Sequence, residues 1–286
     1  MWQPDPVGTA DVFDTARRTA AALAAFTGGR PGMFTPRHLY GPWWNPFGID
    51  EPSSLYDTRP LAATLEQLVD FDALNGGTIR YSATAIDVET GEDVVFDNRA
   101  HRLTPNHIRA SSALLPAFAP VEIDGRLFAD AGISANLPLD IVLAEASDRP
   151  LLCIAIDLLP LRAAAPRTLG ETLSRAQDLM FASQSRRSIA AWQAIHDARV
   201  EAGSARRVEL LYLAYADQAQ EVSGKAFDFS PGSAAQRWES GRRDLTAALA
   251  ALGPDAPFAD RPGLNVRTLT AGQLTPLRWS LKPTPV

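Results

Sequence analysis

The spacing of apolar positions separates helical from extended stretches along the chain. Residues 11–26 (DVFDTARRTAAALAAF) carry an alanine-rich amphipathic pattern, closed by Thr27-Gly28-Gly29, and predict a helix. Residues 60–70 place Leu61, Leu65, Leu68 and Val69 at helical spacing after an opening proline. The period then drops to two: residues 78–88 and 93–97 flank Glu89-Thr90-Gly91-Glu92, which reads as a hairpin. Thr104-Pro105 opens a predicted helix over 105–115, closed by Pro116. A second hairpin follows over 121–130, turning at Asp124-Gly125, where a two-residue primed turn needs positive φ at both centres. Residues 131–135 are too small and loose to be strand, and Asn136-Leu137-Pro138 predicts a capped helix start running to 146.

The second half reads as alternating strand and helix. Residues 151–159 form a continuous apolar run between Pro150 and Pro160, the pattern of a strand buried on both faces of a parallel sheet. One long helix or two cover 168–203, with Leu173, Met180, Ile189, Trp192 and Ile195 marking the inner side. A strand is expected over 208–215. A last helix opens at Ser230-Pro231, with Trp238, Leu245, Leu249 and Leu252 inward. Two stretches lack a usable period. Residues 31–60 are rich in proline, glycine and aromatic residues and predict an ordered loop or lid, and residues from 253 on read as an irregular proline-rich tail. Strands interleaved with helices make the fold class α/β, a three-layer sandwich. No internal repeat and no linker are visible. Gly76-Gly77 precedes a strand rather than a helix, so it reads as a turn and not a phosphate loop.

Composition narrows the function. The 286 residues are 46% hydrophobic and 21% charged with a formal charge of −6, which offers no basic stripe to a nucleic acid. The single cysteine, Cys153, sits inside an apolar strand and reads as a structural thiol. The first six residues lack a basic and an apolar leader region, and no apolar run reaches the ~20 residues of a bilayer span. A cytoplasmic location is the expectation.

Candidate chemistry is sparse. His38, His101 and His196 stand apart, with no second histidine or cysteine at metal spacing, so no metal or cofactor is expected. His107 and Ser111 lie i, i+4 on one helix, a geometry that seldom aims both side chains at one atom. The sequence holds no G-x-S-x-G nucleophile elbow. Asp130 remains: it ends a strand and begins a turn, where scaffolds present functional groups and where turn-forming aspartates also occur.

Several stretches together resemble the C-terminal part of a patatin-like phospholipase domain. They are Ala110-Ser111-Ser112-Ala113 followed by Pro116, Phe118 and Pro120, then VEIDGRLFADAG and NLPLD; residues 78–98, LLYLAYAD and FDFSPGSAAQRWESG add to the likeness. The resemblance spans residues 50–252, between an N-terminal helix and aromatic loop (1–49) and the tail (253–286). It implies a mostly parallel central sheet and lipid acyl hydrolysis by a Ser-Asp dyad. Asp130, in the motif Asp130-Ala131-Gly132, would be the proton acceptor, and Phe128 with the small residues 110–113 would wall its pocket. Two departures stand out. Alanine occupies position 131, where the family has glycine, and residues 1–50 lack the family's apolar strand, glycine-rich loop and serine elbow. The resemblance therefore leads to the expectation of a domain missing its N-terminal strands and inactive as this chain alone, with Ser111 and Ser112 the first serines to test if it is active. A partner chain supplying the missing half, a lipid or acyl-ester substrate, and peripheral contact with a membrane surface through Trp43, Trp44 and Phe47 belong to the same expectation. The alternative is a non-catalytic lipid- or protein-binding module derived from that fold.

Overall fold

A computed structural model describes residues 12–37, 54–145, 147–203, 206–215, 218, 221–253, 258 and 261–282. The aromatic run with His38, Trp43, Trp44 and Phe47 lies outside the described residues. The chain divides into two compact units, one of residues 21–136 and one of residues 1–20 with 137–286. The division falls at Asn136-Leu137, inside a stretch without the composition shift that marks a linker.

Helix α1 (Val12–Gly28) begins in one unit and ends in the other. Gly29, at φ 77°, turns the chain after it; a Cβ there would lie 2.5 Å from the Phe34 carbonyl oxygen, so only glycine fits. Two short strands, β1 (Thr35–Pro36) and β2 (Tyr56–Asp57), pair antiparallel. Then come α2 (Arg59–Leu68) and α3 (Phe71–Asn75), the latter capped by Asp70, which accepts the Ala73 N–H at 2.9 Å.

The rest of this unit is an antiparallel sheet of β3 (Ser82–Asp87), β4 (Asp93–Asp97), β5 (Val121–Ile123) and β6 (Arg126–Asp130), in the order β4-β3-β6-β5. Burial alternates along β3, as a sheet with one packed face requires. That face holds Ala85, Phe96, Val121 and Phe128 under α4 (Pro105–Ala110), whose Ala110, with Ala113 beyond it, is fully buried. The predicted helix over 105–115 is thus shorter, and residues 111–112 and 115–117 form turns.

The helix expected from Asn136 is replaced by two single turns, α5 (Gly132–Ala135) and α6 (Asp140–Leu143). Asn136 closes α5 rather than capping a new helix, because Pro138 disfavours helical backbone before it.

In the other unit, β7 (Leu151–Asp157), β8 (Arg207–Ala214), β9 (Gly263–Thr270) and β10 (Gln273–Pro276) form a sheet in the order β10-β9-β8-β7. β7, β8 and β9 are parallel and β10 is antiparallel to β9. Helices α7 (Leu169–Glu201) and α8 (Pro231–Leu252) accompany it. One face of the sheet packs Ala155, Val208, Leu210, Tyr212, Leu264 and Val266 against Ile189 and Trp192 of α7.

The structure corrects four readings here. The described strands form one mixed sheet, one four-stranded antiparallel sheet and the short β1-β2 pair rather than a single mostly parallel central sheet, because β3-β4 and β5-β6 are antiparallel hairpins and not parallel strands joined by helical crossovers. The tail is not irregular: residues 263–276 make a hairpin through Ala271-Gly272, both at positive φ. β7 is an edge strand, with Leu152, Ile154 and Ile156 exposed on one face. Finally, Leu173, Met180, Ile195, Trp238 and Leu249 are exposed; α7 turns Phe181, Ser185, Ile189, Trp192 and His196 inward, a phase that polar buried residues hid. Among the described residues no helix is long and apolar enough to cross a membrane.

Candidate active site at the end of strand β6

The hairpin that delivers Asp130 follows from its sequence. Asp124 and Gly125 adopt φ 52° and 76°, the left-handed pair a primed turn demands. Arg126 then reaches back to Asp87 through Nε (2.8 Å) and Nη2 (2.5 Å). On β6, Phe128 points into the apolar face, where its ring meets Phe96 edge-on at 5.2 Å. Asp130 shares that side of the strand by the two-residue period and lies opposite Ala85 of β3.

Asp130 is held at both ends. Its backbone N–H donates to the Ala113 carbonyl at 3.1 Å, which ties the strand end to the small-residue segment 110–113 expected to wall it. Its Oδ1 accepts the Gly132 N–H at 2.7 Å. A Cβ on Gly132 would sit 3.1 Å from that same Oδ1, so the glycine lets the carboxylate fold over its own turn. Position 131 is different. Ala131 has φ −66° and ψ −9°, ordinary helical backbone, so the alanine is unstrained and the departure from glycine costs nothing there.

Electrostatics sets Asp130 apart from Asp87 and Asp97 on the neighbouring strands. Asp87 is lowered by the Thr90 N–H, against burial, with the Glu89 N–H and Arg126 adding to it. At Asp97 burial pushes upward, but the Arg99 N–H, Arg80 and Ser82 bring the carboxyl to about 2. Both are structural anions. Asp130 moves the other way: burial raises it, and the single Gly132 hydrogen bond only partly opposes that. A carboxylate raised by burial and left with acceptor capacity is equipped to take a proton.

The other candidates take structural places. His107 Nδ1 accepts the Thr104 N–H at 3.0 Å, closing the first turn of α4, and its ring stands on Phe96 at 4.7 Å. Ser112 donates to the carbonyls of Ile108 and Arg109, Ser111 caps the end of α4, and no described serine hydroxyl bonds to Asp130. Cys153 is raised by burial, in keeping with an inert thiol. A serine does meet an aspartate elsewhere: Ser233 donates to Asp228 at the start of α8, where Ser230 donates to Ser233 at 3.0 Å. Ser233 has no exposed surface, so that pair caps a helix and has no access to a substrate. Among the described residues no cluster of histidine, cysteine, aspartate and glutamate has the makings of a metal site. The Gly132 N–H on Oδ1 escaped sequence reasoning; the D-x-G spacing of an Asx turn is the signal that would have found it.

Two families match the chain. One, described as patatin-like phospholipase, covers residues 8–143 and so contains the whole hairpin and Asp130. The second, described as patatin phospholipase, covers residues 183–257. Over both stretches the chain is similar to patatin-like phospholipases.

The patatin-like match starts at residue 8, well before residue 50, where the resemblance described above begins. Similar proteins from Mycobacterium bovis and Mycobacterium tuberculosis are described as uncharacterized NTE family proteins. Each is 37% identical over 102 residues, 34% of this chain. That stretch spans 27% of each mycobacterial relative. The patatin-like α/β character agrees with the mixture of helices and sheets described above.

Proposed function

We propose that this chain supplies the proton-accepting aspartate of a lipid acyl hydrolase, with Asp130 as the base of a Ser-Asp dyad. One observation carries the reading: Asp130 is raised by burial where Asp87 and Asp97 are held low, while Gly132 fixes its orientation. Similarity to patatin-like phospholipases suggests the reaction class, cleavage of a lipid ester. In that reaction a serine Oγ attacks the ester carbonyl carbon as Asp130 takes its proton. The alkoxide leaves with that proton, and water then hydrolyses the acyl-serine by the same route. Backbone N–H groups hold the oxyanion in each step, a contribution of about 10²–10³ in rate per donor.

The 286 residues contain no G-x-S-x-G. The reading therefore gives this chain the base and assigns the nucleophile to a segment outside it, such as a partner chain. The chain alone is expected to leave short-chain nitrophenyl esters intact. Turnover abolished by Asp130→Asn would overturn the division of labour while keeping Asp130 as the base, and Ser111→Ala and Ser112→Ala would then locate the nucleophile. Turnover indifferent to Asp130→Asn would overturn the role of Asp130 itself.

A further inference from the structure

The unit of residues 137–286 carries a groove whose lining includes no residue of the unit that holds Asp130. Its volume is about 790 Å³, within the range of small-molecule sites. Its floor is Ile156 and Leu158 at the C-terminal end of β7 and Leu213 on β8, and its wall is Trp238, Gly241 and Leu245 of α8. Ligands of open α/β sheets bind outside the C-terminal ends of parallel strands, which is where this groove lies. The apolar floor stays uncovered at Ile156, 58% exposed, and at Leu158 beyond it, and Trp238 stands at the lip, 78% exposed.

The charges at the mouth say what such an occupant carries. Lys225 is committed to Asp178 at 2.7 Å, and Arg237 grips Glu221 through Nε and Nη2. Asp244 borders the groove and faces Arg243 at 3.4 Å. Arg242 differs from the other two cations. Its Nε and Nη2 fork closes on both oxygens of Glu239, and both side chains are more than half exposed. An exposed pair of this kind exchanges readily, and its geometry shows that a carboxylate fits the fork.

We propose that the groove binds a free long-chain carboxylate, with the alkyl chain on Ile156, Leu158, Leu213 and Leu245 and the head in the Arg242 fork, replacing Glu239. This assignment is independent of Asp130.

Titration calorimetry of the full chain with dodecanoate tests it. Saturable binding is expected. Gly241→Leu fills the groove: a Cβ at 241 meets nothing within 4 Å, and leucine favours the helix, so the fold persists while affinity falls at least about tenfold. Arg242→Gln is expected to weaken dodecanoate by about tenfold and leave dodecanol unaffected. Three outcomes overturn the proposal. One is no saturable binding, and a second is a folded Gly241→Leu that binds like the parent. The third is a dimer that Gly241→Leu converts to monomer without any dodecanoate binding, which would give the groove to a second copy. Equal affinity for dodecanol and dodecanoate would overturn the role of Arg242.

Discussion

The antiparallel sheet of β3 to β6 and the mixed sheet of β7 to β10 handle apolar sequence in opposite ways. In the first, alternation in the sequence of β3 becomes alternation in burial, and hairpins pair β3 with β4 and β5 with β6. In the second, β7 and β8 are both nearly continuous apolar runs, yet β8 is buried along both faces from Val208 to Leu213 while β7 exposes every second residue. The difference is position. β8 has a strand on each side, and α7 and α8 both contact that sheet; β7 is the last strand in the order, and Ile154 and Ile156 lie open. An apolar run thus states that a strand wants two covered faces, not that it has them.

The largest expected effect tests that contrast. Leu210→Ala, in the fully buried centre of β8, should cost about 2–5 kcal/mol in urea unfolding, whereas Ile154→Ala on β7 should stay within about 0.5 kcal/mol. Equal losses would place β7 in the interior and end the comparison.

Next in size is a pH effect in the mixed-sheet unit. His196 is buried with neither ring nitrogen hydrogen-bonded, and burial, with Arg199 and Arg206 nearby, lowers it from 6.5 to about 4. The unfolded chain takes up that proton first. Stability is therefore complete above 6.5 and is lost as the pH falls from there toward 4. His196→Leu should flatten the fall in Tm across that window; His107, also lowered by burial, leaves a residual slope. An unchanged slope would contradict the burial of His196.

Two smaller effects belong to the antiparallel unit. Gly132→Ala should cost about 1 kcal/mol, as the new Cβ presses on Asp130 Oδ1 at 3.1 Å. Asp130→Asn should raise Tm slightly at pH 7. A carboxyl raised by folding is a source of stability at low pH that is lost as pH rises through its folded value, so the neutral amide relieves a burden present at neutrality. A stabilising loss of function is the mark of a functional carboxylate; a destabilised Asn variant would make Asp130 a turn residue.

What the sequence made legible was local. The Asp124-Gly125 turn, the strand stop at Asp130 and the helices opened at Pro60, Pro105 and Pro231 depend on neighbours in sequence, and these stand in the structure. Strand order was not legible, since nothing in LLCIAID tells an edge from a centre. The C-terminal hairpin was hidden because prolines at 254, 257 and 262 masked the alternating run that follows. The inner side of α7 was missed because Ser185, Gln193 and His196 are polar yet buried. At the site, the type and place of Asp130 were readable, but the clasp by Gly132 and the helical backbone of Ala131 depend on conformation that residue identity leaves open.

The central claim is that the end of β6 holds a carboxylate raised by burial and clasped by one backbone N–H. Titrating the Asp130 carboxyl carbon by NMR, while following the Gly132 amide, tests it directly. The expected result is a midpoint above the ordinary 3.8, with the Gly132 amide shifting in step. A midpoint at or below 3.8, or a Gly132 amide indifferent to it, would contradict the account.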